Sequence, residues 1–183
     1  SKGEGPVIEG PIRSPQDAVR LHVGEPEEDL SFVFQAIQSV RSELDSSIAL
    51  VGFAGAPFTV ASYMIEGGYS RNFLHTKLLM YAYPEAWHQL METVSEVMAR
   101  YLIAQIEAGA QVIQLFDSWV GCLDVVDYQR YVLPYSKKIF DRLGDFPVPL
   151  IHFGTGTAML LESMQEAGGT VIGVDWRIGL REA

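Results

Sequence analysis

Three short apolar runs of the chain end in polar side chains that could bind or react with a small molecule. The first run ends in Asp117 and Ser118, the second contains His152, and the third ends in Asp175 and Arg177. Carboxylates and imidazoles can exchange protons, hydroxyls can donate hydrogen bonds, and a guanidinium can pair with a ligand carboxylate. Because ligands bind at the carboxyl ends of parallel strands, we predict that these side chains gather at one site.

Each of these residues also has a structural interpretation. A polar residue after a strand can cap the next helix, and the candidates for capping are Ser118, Thr155, Thr157 and Asp175. Asp117 could offer charge to a ligand or support its neighbours. His152 has no Cys or His at a metal-binding spacing, so we interpret it as a structural residue and predict no metal site.

Segment Gly52–Gly68, with the sequence GFAGAPFTVASYMIEGG, is a second candidate for a binding element. It follows the apolar run Ile48–Val51 and places small residues and proline at a strand end, with Tyr63 further along. Small residues let the backbone approach a ligand, and a tyrosine hydroxyl can hydrogen-bond to it. The same pattern is typical of a tightly packed strand-to-helix connection, so both interpretations remain open.

Strands alternate with helices along the chain, which predicts an α/β fold with a parallel sheet. The predicted strands are short, nearly continuous apolar runs, as expected for strands covered on both faces; they span residues 48–53, 112–118, 148–154 and 171–176. The predicted helices span residues 29–44, 84–110, 126–143 and 158–167. An insertion of roughly residues 58–83 carries the Gly52–Gly68 motif and one further helix. A complete (β/α)₈ barrel needs about 250 residues, so the pattern fits half a barrel or a small open sheet.

Composition narrows the class of protein further. The 183 residues include 13 Lys and Arg against 23 Asp and Glu, for a formal net charge of −10, and the basic residues are scattered. Nucleic-acid binding is therefore not expected. No apolar run approaches the ~20 residues of a membrane span. Cys122 is the only cysteine, which favours a reducing compartment. We predict one cytoplasmic domain over residues 1–183.

Four sequence blocks resemble a known family in their order and spacing. They are GFAGAPFTVASYMIEGG, GAQVIQLFDSWVG, the Leu-Pro-Tyr helix start at Leu133–Tyr135, and GVDWR. The opening VIEGPIRSPQDAVRL adds to the match. From end to end the chain is similar to the uroporphyrinogen decarboxylase family.

The resemblance implies a (β/α)₈ TIM barrel, of which this chain is roughly the middle half, with the site at the carboxyl ends of the strands. It implies a homodimer that removes the carboxyl groups of four acetate side chains of uroporphyrinogen, giving coproporphyrinogen in porphyrin synthesis. No metal or organic cofactor is expected. The resemblance further implies that Tyr63 and Ser118 hydrogen-bond the substrate. Trp119 stands where some members carry a histidine, so no role is transferred to it.

Other functional residues of the family have no counterpart in this sequence. Its arginine-bearing block and essential aspartate are expected before Ser1, and its site histidine after Ala183. We therefore expect an internal segment that is inactive alone and contains no catalytic residue. Arg71 and Arg177 are the strand-end or loop arginines that could meet substrate carboxylates.

Two alternative functions remain open at this point. A zinc-dependent corrinoid methyltransferase of the related barrel superfamily would need a His-x-Cys pair, but glycine stands at the Cys position after His152. A catalytically silent structural piece is the other alternative, because an incomplete barrel exposes apolar surface that invites association.

Overall fold

Four parallel strands form one sheet in the computed structural model, which describes residues 7–183. The strands are β1 (Val51–Gly55), β2 (Val112–Asp117), β3 (Leu150–Gly154) and β4 (Val171–Gly173), and they lie side by side in chain order. All three strand pairs are parallel. Sequential order with helical crossovers is the arrangement of one half of a (β/α)₈ barrel, as predicted.

Nine α-helices accompany the strands within residues 7–183. Those before β1 are α1 (Pro15–Val19), α2 (Pro26–Asp29) and α3 (Ser31–Glu43); those between β1 and β2 are α4 (Pro57–Glu66), α5 (Leu74–Ala82) and α6 (Pro84–Glu107). After β2 come α7 (Val125–Tyr131), α8 (Leu133–Leu143) and, before β4, α9 (Leu161–Ala167). The short helices α1 and α2 were not predicted, since neither is long enough to show a periodic apolar pattern.

Helix α4 carries most of the Gly52–Gly68 segment, and local sequence sets both of its ends. Pro57 occupies the first helical turn, where a missing N–H costs nothing. Gly67 ends the helix in the left-handed conformation, at φ 81°, which glycine adopts without a Cβ clash. The segment therefore folds as β1 followed directly by α4.

The prediction of one helix over residues 126–143 was wrong. The chain leaves the helical conformation at Val132, with φ −128° and ψ −52°, between α7 and α8. Pro134 lies in the first turn of α8 and has no N–H to bond to the carbonyl four residues earlier. The proline therefore starts a new helix instead of continuing α7.

The two faces of the sheet differ, which corrects the prediction of strands covered on both sides. On one face, side chains of the strands pack against α6 and α8; these strand residues are Ala54, Ile113, Leu115 and Leu150. On the other face, Val51 is 45% and Phe53 is 59% exposed. In a closed barrel this second face would point into the barrel interior. The apolar runs identified the strands but not which faces are covered.

A second core lies beyond the sheet, where α4, α5 and α6 meet the helices that follow β2. Phe58, Trp87 and Tyr128 are fully buried there. Met80 and Met91 belong to the same cluster and Met98 packs against it, as expected for core methionines. No helix within residues 7–183 combines the length and apolarity needed to cross a membrane.

Candidate functional site

The carboxyl ends of β2, β3 and β4 meet at one edge of the sheet. The strand register pairs Asp117 with Gly154 and Phe153 with Gly173. A cleft of about 290 Å³ opens there, and its lining includes Ser118, Thr155 and Arg177. The structure thus brings together residues from three of the predicted strand ends.

Ser118 lies in a turn whose backbone is held from the neighbouring loop. The hydroxyl of Thr155 donates a 2.5 Å hydrogen bond to the Ser118 carbonyl. Gly121 follows closely, and a Cβ at that position would lie 2.3 Å from the Thr155 carbonyl oxygen. The loops after β2 and β3 are therefore packed backbone to backbone, which only glycine permits at residue 121.

Tyr63 reaches the same turn from α4. Its ring stacks on the indole of Trp119, with centroids 3.9 Å apart and an interplanar angle of 22°. Phe73 also packs against this indole, with ring centroids 5.2 Å apart. Both predicted substrate-binding residues, Tyr63 and Ser118, therefore lie against Trp119, one by stacking and the other as its chain neighbour.

Thr59 is a contact residue that the sequence analysis missed. It is 2% exposed and lies one helical turn before Tyr63 on α4. Its hydroxyl donates a 2.5 Å hydrogen bond to Asp117 Oδ1 and accepts a 3.2 Å hydrogen bond from the backbone N–H of Trp119. The four-residue spacing between Thr59 and Tyr63, which puts both on one helix face, is the signal that could have revealed it.

Asp117 points away from the open face of the sheet. It is fully buried, and within the described residues its Oδ2 has no hydrogen-bond partner. Burial raises the pKa of this carboxyl to about 7, although the hydrogen bond from Thr59 opposes the rise. Asp117 is therefore placed to support the turn from behind, and its carboxyl does not line the cleft.

His152 also lies on the helix-facing side of the sheet. Its Nδ1 is 3.1 Å from the Met164 carbonyl oxygen and 3.3 Å from that of Gly168, so Nδ1 carries the proton. Burial lowers the pKa of this imidazole to about 4. These contacts match the structural interpretation, since a neutral, buried imidazole is held between two carbonyls.

Capping does not explain the polar residues at the strand ends. Thr155 bonds to the Ser118 carbonyl, and Thr157 precedes a short 3₁₀ helix without a side-chain cap bond. Asp175 accepts hydrogen bonds from the N–H groups of Gly156 and Arg177, and so ties the β4 end to the loop after β3.

The two candidate arginines differ in position. Arg177 lines the cleft, forms an ion pair with Asp175 and lies 4.7 Å from the ring centroid of Trp176. Arg71 is exposed and is not among the residues that line this cleft. Of the cleft-lining side chains in the described part of the chain, Arg177 alone is basic.

Cys122 also lines the cleft, and it is partly buried against the core formed around α4 and α6. Burial raises the pKa of the thiol, although nearby Lys77 acts in the opposite direction. Within residues 7–183, no three His, Cys, Asp or Glu side chains are grouped so as to hold a metal ion.

Successive parallel strands in chain order, with a cleft at their carboxyl ends, define this chain as a barrel-type α/β protein. Its sequence matches the model of the family described as uroporphyrinogen decarboxylase (URO-D) over residues 1–183. The chain therefore belongs to the uroporphyrinogen decarboxylase family.

Curated relatives agree with this assignment. The chain is 51% identical over 183 residues to uroporphyrinogen decarboxylase from Carboxydothermus hydrogenoformans and covers 52% of that protein. It is 54% identical over 183 residues to the enzyme from Sorangium cellulosum, again covering 52%. The chain thus spans about half the length of the curated relatives it matches.

A solved structure supports the fold. A methyltransferase from Methanosarcina mazei superimposes with a TM-score of 0.76 over 91% of this chain and 49% of the other, at 17% identity. Likeness at this identity concerns the fold alone. The zinc-dependent methyltransferase alternative gains nothing from the site, because His152 is bonded to carbonyls and Gly154 offers no ligand side chain.

Proposed function

We propose that the full-length protein containing this chain removes the carboxyl groups of the four acetate side chains of uroporphyrinogen to give coproporphyrinogen. The observation that carries the proposal is the identity of about half of all residues, along the whole chain, to proteins named for this activity. We therefore propose a role for the protein in porphyrin synthesis, as a carboxy-lyase.

We assign substrate binding to Tyr63 and Ser118. Both side chains are partly exposed, and both contact or adjoin Trp119 at the cleft. Neither hydroxyl has a hydrogen-bond partner within residues 7–183, so each is available to a ligand. A hydrogen bond to a charged ligand group contributes about 1.5–3 kcal/mol, enough to orient a bound substrate.

The proposed reaction needs an electron sink. Protonation of a pyrrole ring makes the ring cationic, so that it accepts the electron pair of the breaking C–C bond as carbon dioxide leaves. A carboxylate near the ring would stabilise this cation. Asp117 does not supply it, because its carboxyl is fully buried behind the turn and its pKa is raised to about 7. We place that carboxylate outside this chain.

The charge of the chain also indicates that part of the substrate site lies outside it. The chain has a net charge of −10, and Arg177 is the basic side chain at the cleft. A substrate with eight carboxylates would need further cationic groups near the cleft. We propose that they come from outside residues 1–183, which form part of one barrel domain in a cytoplasmic homodimer. We propose that the protein needs no organic cofactor and has neither a nucleic-acid partner nor a membrane partner.

An assay of the full-length protein tests the proposed function. Purified protein and uroporphyrinogen under anaerobic, reducing conditions should yield coproporphyrinogen, measured by chromatography after oxidation to the fluorescent porphyrins. The variant Ser118→Ala should raise KM about tenfold, which corresponds to about 1.4 kcal/mol. Exposed Ser39 on α3 provides the matched control, since Ser39→Ala should leave KM unchanged. A folded wild-type protein that forms no product would refute the proposal.

A further inference from the structure

A single buried hydroxyl connects the end of β2 to the turn that follows it. Thr59 Oγ1 donates a 2.5 Å hydrogen bond to Asp117 Oδ1 and accepts a 3.2 Å hydrogen bond from the backbone N–H of Trp119. Thr59 is 2% exposed and Asp117 is fully buried. Hydrogen bonds shielded from water in this way hold their partners in one arrangement more firmly than exposed ones.

Helix α4 contacts Trp119 at two points. Thr59 bonds to its backbone N–H, and one turn later Tyr63 stacks on its indole. Ser118 therefore lies between two restrained residues. Its own carbonyl accepts a hydrogen bond from Thr155, while its hydroxyl has no partner within residues 7–183.

We propose that Thr59 and Asp117 are positioning residues that fix the Ser118–Trp119 turn and thereby aim the Ser118 hydroxyl into the cleft. The part that concerns substrate rests on the proposed function, because it assumes that Ser118 binds uroporphyrinogen. The part that concerns the turn rests on geometry alone.

The carboxyl of Asp117 supplies an acceptor in either protonation state. Oδ1 accepts from Thr59 whether Oδ2 carries a proton or not. The titratable groups near Asp117 are Tyr128 and Cys122. Burial is the largest cause that raises the pKa of each side chain, and the charge of the Asp117 carboxyl raises both further. An asparagine would keep the Oδ1 acceptor. The role of residue 117 in the turn is therefore acceptance of a hydrogen bond, which does not require negative charge.

Kinetics of the full-length enzyme separate this role from a general effect on folding. Thr59→Val keeps the side-chain shape and removes the hydroxyl, so we expect KM to rise about tenfold with kcat within about twofold of wild type. Thr59→Ser should restore KM, and Asp117→Asn should change it by less than Thr59→Val does.

Thr76 offers a matched control. It is also fully buried, and its hydroxyl donates a 2.9 Å hydrogen bond to a carboxylate, that of Glu66. Thr76→Val removes the same kind of bond from α5, and it should leave KM unchanged even if it lowers stability. An equal rise in KM in Thr76→Val and Thr59→Val would overturn the positioning role.

A measurement without substrate keeps this inference separate from the proposed function. Protein labelled with 5-fluorotryptophan gives one ¹⁹F signal per tryptophan, and Trp119→Phe identifies the signal of Trp119. Thr59→Val should shift that signal, whereas Thr59→Ser and Thr76→Val should not. If the wild type is inactive but the shifts follow this pattern, only the proposed activity fails.

Two further outcomes decide against the positioning role. An unshifted Trp119 signal in folded Thr59→Val would show that the hydroxyl does not hold the turn, and a shifted signal with an unchanged KM would show that the turn does not serve the substrate. If Thr59→Val does not fold, hydrogen exchange of the wild type answers the first question. The peptide containing the Trp119 amide should exchange slowly, and fast exchange overturns the inference.

Discussion

The ring of Tyr63 on α4 stacks on the indole of Trp119 after β2, with centroids 3.9 Å apart and planes inclined by 22°. This contact joins two of the sequence blocks that identify the family. It also places the Tyr63 ring beside the turn that carries Ser118. The stacked pair therefore packs the first block against Trp119, which lines the cleft.

The stacked pair should show a measurable coupling in a double-mutant cycle. Aromatic pairs contribute about 0.5–1.5 kcal/mol beyond their buried area. We expect Tyr63→Leu and Trp119→Leu to destabilise the full-length protein separately, with a coupling free energy of about 1 kcal/mol. Urea unfolding of the wild type, both single variants and the double variant provides the measurement. Tyr63→Phe keeps the ring and should retain the coupling while raising KM. Strictly additive single variants would contradict the stacking.

Asp117 should make stability depend on pH in an unusual direction for a carboxylate. Its pKa lies near 3.8 in the unfolded chain and is raised to about 7 in the fold. The contribution of Asp117 to the free energy of unfolding is therefore fully present below about pH 4 and is lost as pH rises to about 7. Each pKa unit corresponds to about 1.4 kcal/mol, so a few kcal/mol are at stake. The free energy of unfolding of Asp117→Asn, minus that of wild type, should rise between pH 4 and 7.

His152 acts in the opposite direction over the same range. Burial lowers its pKa from 6.5 to about 4, so its contribution is present above pH 6.5 and is lost as pH falls to about 4. Because His152 is the same in wild type and in Asp117→Asn, the difference between their unfolding free energies removes its effect. A difference that stays flat from pH 4 to 7 would mean that the pKa of Asp117 is not raised.

Gly121 should tolerate no side chain. A Cβ there would lie 2.3 Å from the Thr155 carbonyl oxygen and 2.8 Å from that of Gly156, and both are backbone atoms. We expect Gly121→Ala to destabilise the protein by about 1–3 kcal/mol and to raise KM, because it pushes apart the loops after β2 and β3.

Gly144 is the control for this substitution. It has an ordinary φ of −62°, and a Cβ would lie no closer than 3.5 Å to its neighbours. Gly144→Ala should be neutral or slightly stabilising, by about 0.4–1 kcal/mol. Thermal unfolding of both variants measures the difference, and equal losses would contradict the close approach at Gly121.

The open face of the sheet should control how the isolated segment 1–183 behaves. Phe53 is 59% exposed on that face, although it belongs to a strand. We expect the segment to show no decarboxylase turnover and to self-associate through this face. Phe53→Gln should reduce the association seen by analytical ultracentrifugation, yet destabilise the full-length protein by about 3–5 kcal/mol, as expected for loss of a core phenylalanine.

Phe32 gives the matched comparison, being 65% exposed on α3. Phe32→Gln should leave both the association of the segment and the stability of the full-length protein nearly unchanged. Equal effects of the two substitutions would mean that the open face has no special role.

Much of the fold could be predicted from local sequence. Each of the four strands overlaps a predicted apolar run, because a strand buried on even one face needs closely spaced apolar residues. Strands β2, β3 and β4 lie within their runs, whereas β1 continues two residues past the predicted end, to Gly55. The ends of the strands were predicted less accurately than their positions. Residues 48–50 lie before β1, and Ile48 is 51% exposed. Trp176, placed at the end of the last predicted strand, lies beyond β4 and is 85% exposed.

The sequence alone determined the α/β class with parallel strands and the family, because these depend on apolar periodicity and on blocks of residues that are contiguous in the chain. It also singled out Tyr63 and Ser118 as candidates. Only the tertiary structure decided that Asp117 faces the helices and that Thr59 joins it to Trp119. These relationships connect residues far apart in sequence, and the direction of each side chain is set by packing between β2 and α4. Which side of the sheet stays open was likewise decided by where the helices pack.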